Sequence, residues 1–273
     1  GLGAIGYQWQ SSADNGATWS DIAGAAAGTF ALTEAQVGKL VRANASYTDG
    51  HGAAESVNSS ATAAIANVND APTGSVAVSG TATQNQTLTV ANTLSDADGL
   101  SAIAYQWQSS ADNGATWINV AGATASTFAL TEAEVGKLVR ANASYTDGHG
   151  TAESVNSLAT APIANINDAP TGTVSITGTA SQNQILTAGN TLADADGLGT
   201  IAYQWQSSAD NGATWSDIAG ATADTFALTE AEVGKLVRAN ASYTDGRGTF
   251  ESMSSAATAA VASAGTGNNT PPL

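Results

Sequence analysis

Cysteine is absent from the 273 residues, which removes disulfides, thiolate metal sites and cysteine nucleophiles together. Basic residues are scarce as well: 7 Lys and Arg stand against 23 Asp and Glu, a formal net charge of −16. Nucleic-acid phosphates are held by Lys/Arg clusters, so a nucleic-acid partner is excluded, and an anionic membrane surface is disfavoured for the same reason. No run of 18 apolar residues occurs, so no segment reads as a membrane-spanning helix. The chain carries neither an initiator Met nor a signal peptide at its start. It opens at Gly1-Leu2-Gly3, in the middle of a pattern, and reads as a piece of a longer protein.

What the sequence does contain is repetition. Tyr7-Gln-Trp-Gln returns at Tyr105 and Tyr203, a constant spacing of 98 residues. Each copy continues through Ser-Ala-Asp-Asn-Gly-Ala-Thr-Trp, then Thr-Phe-Ala-Leu-Thr-Glu, then Val-Gly-Lys-Leu-Val-Arg-Ala-Asn-Ala-Ser-Tyr-Thr-Asp-Gly. Asn-Asp-Ala-Pro closes the first two copies at Asn69–Pro72 and Asn167–Pro170. The expected domains are a first repeat over 1–68 that lacks its first two strands, complete repeats over 69–166 and 167–262, and a linker-like tail over 263–273.

Between Pro and Gly boundaries the apolar residues alternate at the period of a half-buried strand. In the second repeat the pattern predicts strands at 75–79, 86–91, 102–108, 117–120, 126–130, 137–146 and 152–156, with a one-turn helical corner at 131–136. Seven strands in a repeat of this size predict an all-β protein of tandem immunoglobulin-like antiparallel β-sandwiches, arranged as an elongated array. Period two puts Ile103, Tyr105 and Trp107 on one face, with Trp107 as the core anchor. Val139, Ala141, Ala143 and Tyr145 should face it, leaving Arg140, Asn142 and Ser144 to point out.

The Ser-x-Asp-x-Gly-x-Thr-Trp string at Ser12, Ser110 and Ser208 matches the Asp-box best known from sialidase propellers. A sialidase of that class needs converging arginines, a tyrosine nucleophile and an acidic partner. Only Arg42, Arg140, Arg238 and Arg247 are present, and the first three fall at equivalent positions of separate repeats. Propeller blades also repeat every ~40–50 residues rather than 98. No residue is therefore assigned a catalytic role. Asn113-Gly114 instead signals a type I′ turn, with Asp112 accepting backbone N–H groups and Ser110 and Thr116 adding side-chain bonds.

Taken in order, Tyr-Gln-Trp-Gln, the Asp-box, Leu-Thr-Glu-Ala-Glu-Val-Gly, Ser-Tyr-Thr-Asp-Gly, Asn-Asp-Ala-Pro and Asp-Ala-Asp-Gly resemble the tandem immunoglobulin-like repeats of large bacterial RTX-type and cadherin-like surface adhesins. The resemblance covers nearly the whole chain, which lacks the glycine-rich RTX nonapeptides and a tip domain. It implies a non-catalytic extracellular stalk, secreted or attached to the bacterial surface and stiffened by calcium. Adhesion or biofilm formation would run through a surface or glycan ligand bound by domains outside this chain.

The acidic loops supply the candidate metal residues. Asp96 and Asp98, and Asp194 and Asp196, lie between the second and third strands of their repeats; Asp147 and Asp245 lie between the last two. A sandwich brings both loops to the end at which the chain enters, where Asp70 and Asp168 stand in the linker. Calcium is thus expected on Asp70, Asp96, Asp98 and Asp147, and on Asp168, Asp194, Asp196 and Asp245, because a hard cation taking several oxygens reverses their repulsion. Glu153 and Glu251 are second-rank ligands. The alternative is that Asp-Gly and Asn-Asp are solvated turns only. His51 and His149 give way to Arg247 in the third copy, against a His-ligated metal or a pH switch common to all repeats. The Asn-Ala-Ser sequons at Asn44, Asn142 and Asn240 are read as chance in a chain rich in these residues. Two further functional readings stay open: a carbohydrate-binding array stacking sugars on Trp19, Trp117 and Trp215, and a glycosidase fragment.

Overall fold

Alternating burial along the strands follows the sequence pattern closely in the computed structural model, which describes residues 1 and 3–264. The tail expected over 263–273 lies, from residue 265 onward, outside the described residues. The first repeat contributes β1 (Gly6–Ser12), β2 (Ser20–Asp21), β3 (Leu40–Thr48) and β4 (Ala54–Asn58), hydrogen-bonded in the order β2-β1-β3-β4. The second contributes β5 (Val76–Ser79), β6 (Thr87–Asn92), β7 (Ala104–Ser110), β8 (Ile118–Asn119), β9 (Thr127–Ala129), β10 (Leu138–Thr146) and β11 (Ala152–Asn156). These form two antiparallel sheets, β5-β6-β9 and β11-β10-β7-β8. The third repeats the plan with β12 (Val174–Thr177), β13 (Ile185–Asn190), β14 (Ala202–Ser208), β15 (Ser216–Asp217), β16 (Thr225–Ala227), β17 (Leu236–Thr244) and β18 (Phe250–Ser254), in sheets β12-β13-β16 and β15-β14-β17-β18.

The chain is a tandem array of β-sandwiches, and its only helical elements among the described residues are three 3₁₀ turns, Glu34–Gln36, Glu132–Glu134 and Glu230–Glu232. Each turn starts from a threonine cap. Thr131 donates its backbone N–H and its hydroxyl to the Glu134 carboxylate at 3.0 and 2.8 Å, and its side chain accepts the Glu134 backbone N–H in return, which completes a capping box. No helix among the described residues is long and apolar enough to cross a membrane.

The structure divides into two compact units. One holds Gly1–Thr81, Thr87–Ala129 and Lys137–Ala161; the other holds Ala82–Gln86, Leu130–Gly136 and the chain from Pro162 onward. In the first unit Trp107 is 0% exposed and its ring lies 5.5 Å from Phe128, so one indole bridges the two sheets through β7 and β9. The indole N–H donates to the Ala125 carbonyl at 2.9 Å, which satisfies its one polar group. Val139, Ala141, Ala143 and Tyr145 are buried along β10, as the alternation requires. In the second unit Trp205 is also 0% exposed, lies 5.5 Å from Phe226, and joins Leu186, Leu228, Val237 and Val261 in the core.

The first repeat departs from this plan. Among the described residues it has a single sheet, and the stretch equivalent to β9 forms no strand. The reason is pairing: β9 is held by β6, and among the described residues no counterpart of β6 pairs with the first repeat. Trp9 is consequently only half-buried beside Phe30, and Leu32 is 50% exposed.

Candidate inter-repeat cation sites

Two acidic loops meet at the entry end of the second repeat, and local hydrogen bonding explains why they fold as they do. Asp96 accepts the Asp98 N–H on Oδ1 at 2.9 Å and the Tyr145 hydroxyl on Oδ2 at 2.5 Å. Both of its oxygens are therefore engaged in building the loop. Burial raises the Tyr145 phenol above its usual value, and the Asp96 bond adds to the shift. Asp147 Oδ1 accepts the His149 and Thr151 N–H groups, each at 2.8 Å. Burial works to raise the Asp147 carboxyl, but the backbone donors of Thr151 and His149 outweigh it and leave the group lowered. The loops are tied by the Gly148 N–H donating to the Asp98 carbonyl at 2.9 Å. A Cβ on Gly148 would stand 2.5 Å from that carbonyl, so only glycine permits the approach.

The linker closes onto these loops. The Asp70 N–H donates to Asp98 Oδ2 at 2.6 Å, and Asn69 donates to Glu153 at 2.8 Å. The side chain of Asp70 is exposed. Asp98 is 4% exposed, and its Oδ1 has no hydrogen-bond partner; neither has Oδ2 of the buried Asp147. From the first repeat, Glu34 Oε1 reaches His149 Nε2 at 2.6 Å, and this contact is the main reason the imidazole is raised above its ordinary range. Glu34, Asp98 and His149 each offer one donor atom within 4.8 Å of the others.

The third repeat reproduces the arrangement. Asp194 Oδ2 accepts the Tyr243 hydroxyl, Asp245 Oδ1 accepts the Arg247 and Thr249 N–H groups, and the Asp168 N–H donates to Asp196 Oδ2 at 2.8 Å. Asn167 donates to Glu251 at 2.7 Å. Asp196 Oδ1 and Asp245 Oδ2 are again buried without partners. Arg247 takes the place of histidine and pairs with Glu132 Oε1 at 2.5 Å. Glu132, Asp168 and Asp196 bring three carboxylate oxygens within 4.8 Å, while Asp168 Oδ2 also accepts from Gln84 at 2.8 Å.

The Asp-box makes a different kind of site. Asn113 and Gly114 have φ of 56° and 89°, and the Ala115 N–H closes the turn on the Asp112 carbonyl at 3.3 Å. The turn lies inside a seven-residue connection between β7 and β8, rather than forming a two-residue hairpin. Asp112 Oδ1 accepts from Ser110 and the Thr116 N–H, and Oδ2 from the Thr116 hydroxyl. These bonds, led by the Thr116 hydroxyl, lower the Asp112 carboxyl to about 2, as equivalent bonds do for Asp14 and Asp210. A depressed carboxyl contributes stability that is present above its unfolded value and lost as pH falls through the folded one. The Asp-boxes should thus hold until the pH falls from 3.8 towards about 2. Thr116→Val should return the Asp112 titration towards the ordinary carboxylate range, read by NMR of its side-chain carboxyl carbon; an unmoved midpoint would refute this account. Trp117 donates its indole N–H to the Gly114 carbonyl at 3.1 Å, and the Arg140 guanidinium lies 4.2 Å from the ring centroid. Arg140 Nε donates in turn to Gln108 at 2.8 Å, which fixes the guanidinium over the indole.

A family profile described as "Domain of unknown function (DUF8696)" matches residues 1–68, 74–161 and 176–263. The chain belongs to this family. No curated protein matches it. Among solved structures, the chain is similar to a tetra-tandem repeat in the extending region of a large adhesion protein, at 14% identity and TM-score 0.29, over 94% of this chain and 67% of that one. It is similar to a 1.5-MDa bacterial ice-binding adhesin at 11% identity and TM-score 0.31, over 96% and 87%. A third is a Ca²⁺-stabilised adhesin of an Antarctic bacterium, at 14% identity and TM-score 0.29, over 96% and 67%.

Across the DUF8696 repeats, the expected ligands separate by what each oxygen already holds. Asp98 and Asp147, and Asp196 and Asp245, combine burial with a free oxygen. Asp96 and Asp194 spend theirs on tyrosine hydroxyls and loop N–H groups. Glu153 and Glu251 each hold a linker asparagine. Glu34 and Glu132 are the site residues missed by sequence reasoning, which sets His149 aside because Arg247 replaces it in the third copy. A signal for them existed: the capping box uses only the third residue of each 3₁₀ turn, which leaves the glutamate at the first position without a local task.

Proposed function

We propose that the chain is a non-catalytic spacer of a bacterial surface adhesin, built from immunoglobulin-like repeats over 1–68, 69–166 and 167–262, whose junctions are stiffened by calcium. The observation that carries the reading is the pair of buried, unpartnered carboxylate oxygens in both acidic-loop sites, Asp98 Oδ1 with Asp147 Oδ2 and Asp196 Oδ1 with Asp245 Oδ2. Leaving such a group unpaired costs roughly 1–3 kcal/mol or more for a charged one. A hard cation that takes oxygen ligands removes the cost, and every free donor in the pair is a carboxylate oxygen. Binding would also tie the linker to the loops through Asp98 and Asp196, which already accept the Asp70 and Asp168 N–H groups. Extracellular placement on a cell surface, with adhesion or biofilm formation through ligand-binding domains elsewhere in the parent protein, completes the proposal.

Saturating calcium at ~100 times the dissociation constant would add about 2.7 kcal/mol per site. Chelation should therefore lower the melting temperature and change the maximum dimension measured by solution scattering, and calcium should restore both. A chain indifferent to chelator in both measurements would sink the calcium reading. The carbohydrate-stacking alternative is less well supported, because Arg42, Arg140 and Arg238 each sit 4.2–4.3 Å from the ring of Trp19, Trp117 or Trp215 and occupy a face. A glycosidase is less well supported too, because Arg42, Arg140 and Arg238 are each held over the tryptophan of their own repeat and do not form a cluster.

A further inference from the structure

We infer that the site joining the first and second repeats is a binding site for a zinc-class transition metal, formed by Glu34, Asp98 and His149, and that Arg247 closes the equivalent site of the third repeat to that metal. Three observations carry this. The donor set is mixed: one imidazole nitrogen and two carboxylate oxygens lie within 4.8 Å of one another. Nitrogen and oxygen donors at about 2.0–2.2 Å suit zinc, whereas calcium takes oxygen alone. Asp98 is 4% exposed, its Oδ2 is taken by the Asp70 N–H, and its Oδ1 has no partner, so a buried oxygen is available to a cation. Finally, His149 Nε2 and Glu34 Oε1 already meet at 2.6 Å. Tetrahedral ligands at zinc distances stand about 3.3 Å apart, so the metal needs a slight separation of these two half-exposed side chains and the approach of Asp98, whose donor lies within 4.8 Å of both.

The third repeat supplies the internal control. Glu132 and Asp196 occupy the positions of Glu34 and Asp98, but the loop position of His149 carries Arg247, whose guanidinium holds Glu132 at 2.5 Å. A guanidinium has donors only and cannot ligate a metal. The third-repeat cluster of Glu132, Asp168 and Asp196 therefore offers carboxylate oxygens alone, a hard-cation donor set with a fixed charge beside it, whereas the first junction adds the nitrogen that zinc favours.

The inference shares the Asp98 carboxylate with the calcium reading, yet the two fail separately. Calorimetric titration of the full, metal-stripped chain with zinc chloride should show uptake of one equivalent. His149→Arg should abolish zinc uptake while leaving calcium uptake unchanged, and Arg247→His should raise zinc uptake to two equivalents. Each substitution installs the residue that another copy carries at this position, so folding should survive; circular dichroism of each variant checks this. Zinc uptake absent from the parent, retained in His149→Arg, or still one equivalent in Arg247→His would overturn the inference. Loss of calcium uptake from the parent with this zinc pattern intact would overturn only the calcium reading.

Discussion

Trp205→Ala is expected to destabilise the third repeat by about 3–5 kcal/mol, a loss of more than ~10 °C in melting temperature for a domain of this size. The indole is 0% exposed, contacts Phe226 across the sandwich and spends its N–H on the Ala223 carbonyl at 2.9 Å. Truncation removes the transfer free energy of the ring, the aromatic contact and a satisfied hydrogen bond, and leaves a cavity between two sheets that cannot collapse freely. Trp9→Ala provides the contrast. Trp9 keeps the equivalent N–H bond, to the Ala27 carbonyl at 2.9 Å, but its ring is half-buried and has a single sheet behind it. Its truncation should cost less than about 2 kcal/mol, since less apolar area leaves the interior. Differential scanning calorimetry of the two variants checks both values. Equal losses would show that the second sheet is not what gives this tryptophan its weight.

The same comparison shows which parts of the fold were legible in sequence. Strand spans and inward faces were, because period-two alternation in Val139, Ala141, Ala143 and Tyr145 reports burial directly. The helical corner was legible from its place in a sandwich repeat, at 131–136, and the structure forms it through the Thr131–Glu134 capping box. The length of the Asp-box connection was not: Asn113-Gly114 specifies a turn locally, but only the pairing of Ser109 with Ile118 fixes how much chain surrounds it. For the candidate sites, the loops were legible and their division of labour was not. Asp96 and Asp98 look equivalent in Asp-Ala-Asp-Gly, yet one oxygen of Asp96 goes to Tyr145, forty-nine residues away. Glu34 and His149 are 115 residues apart, and no local spacing announces their contact.

Asp196→Asn should reverse the sign of its effect with calcium. The carboxylate is 4% exposed, its Oδ2 accepts the Asp168 N–H at 2.8 Å, and its Oδ1 has no partner. Asparagine is nearly the same shape and keeps an acceptor for that N–H. In chelator the substitution exchanges a buried unpaired charged oxygen for a neutral amide NH2 beside the Glu132 and Asp168 carboxylates, which relieves like-charge repulsion, so the variant should melt no lower than the parent. In calcium the parent gains about 2.7 kcal/mol at a hundredfold excess over the dissociation constant, while the variant has lost an anionic ligand and gains little at this site. Thermal melts of both proteins in the two solutions should therefore exchange their order. If asparagine destabilises equally with and without calcium, Asp196 is a structural acceptor and no cation sits there. If the order is exchanged, the unpaired oxygen is the energetic cost that the cation offsets, and the second and third repeats are joined through it.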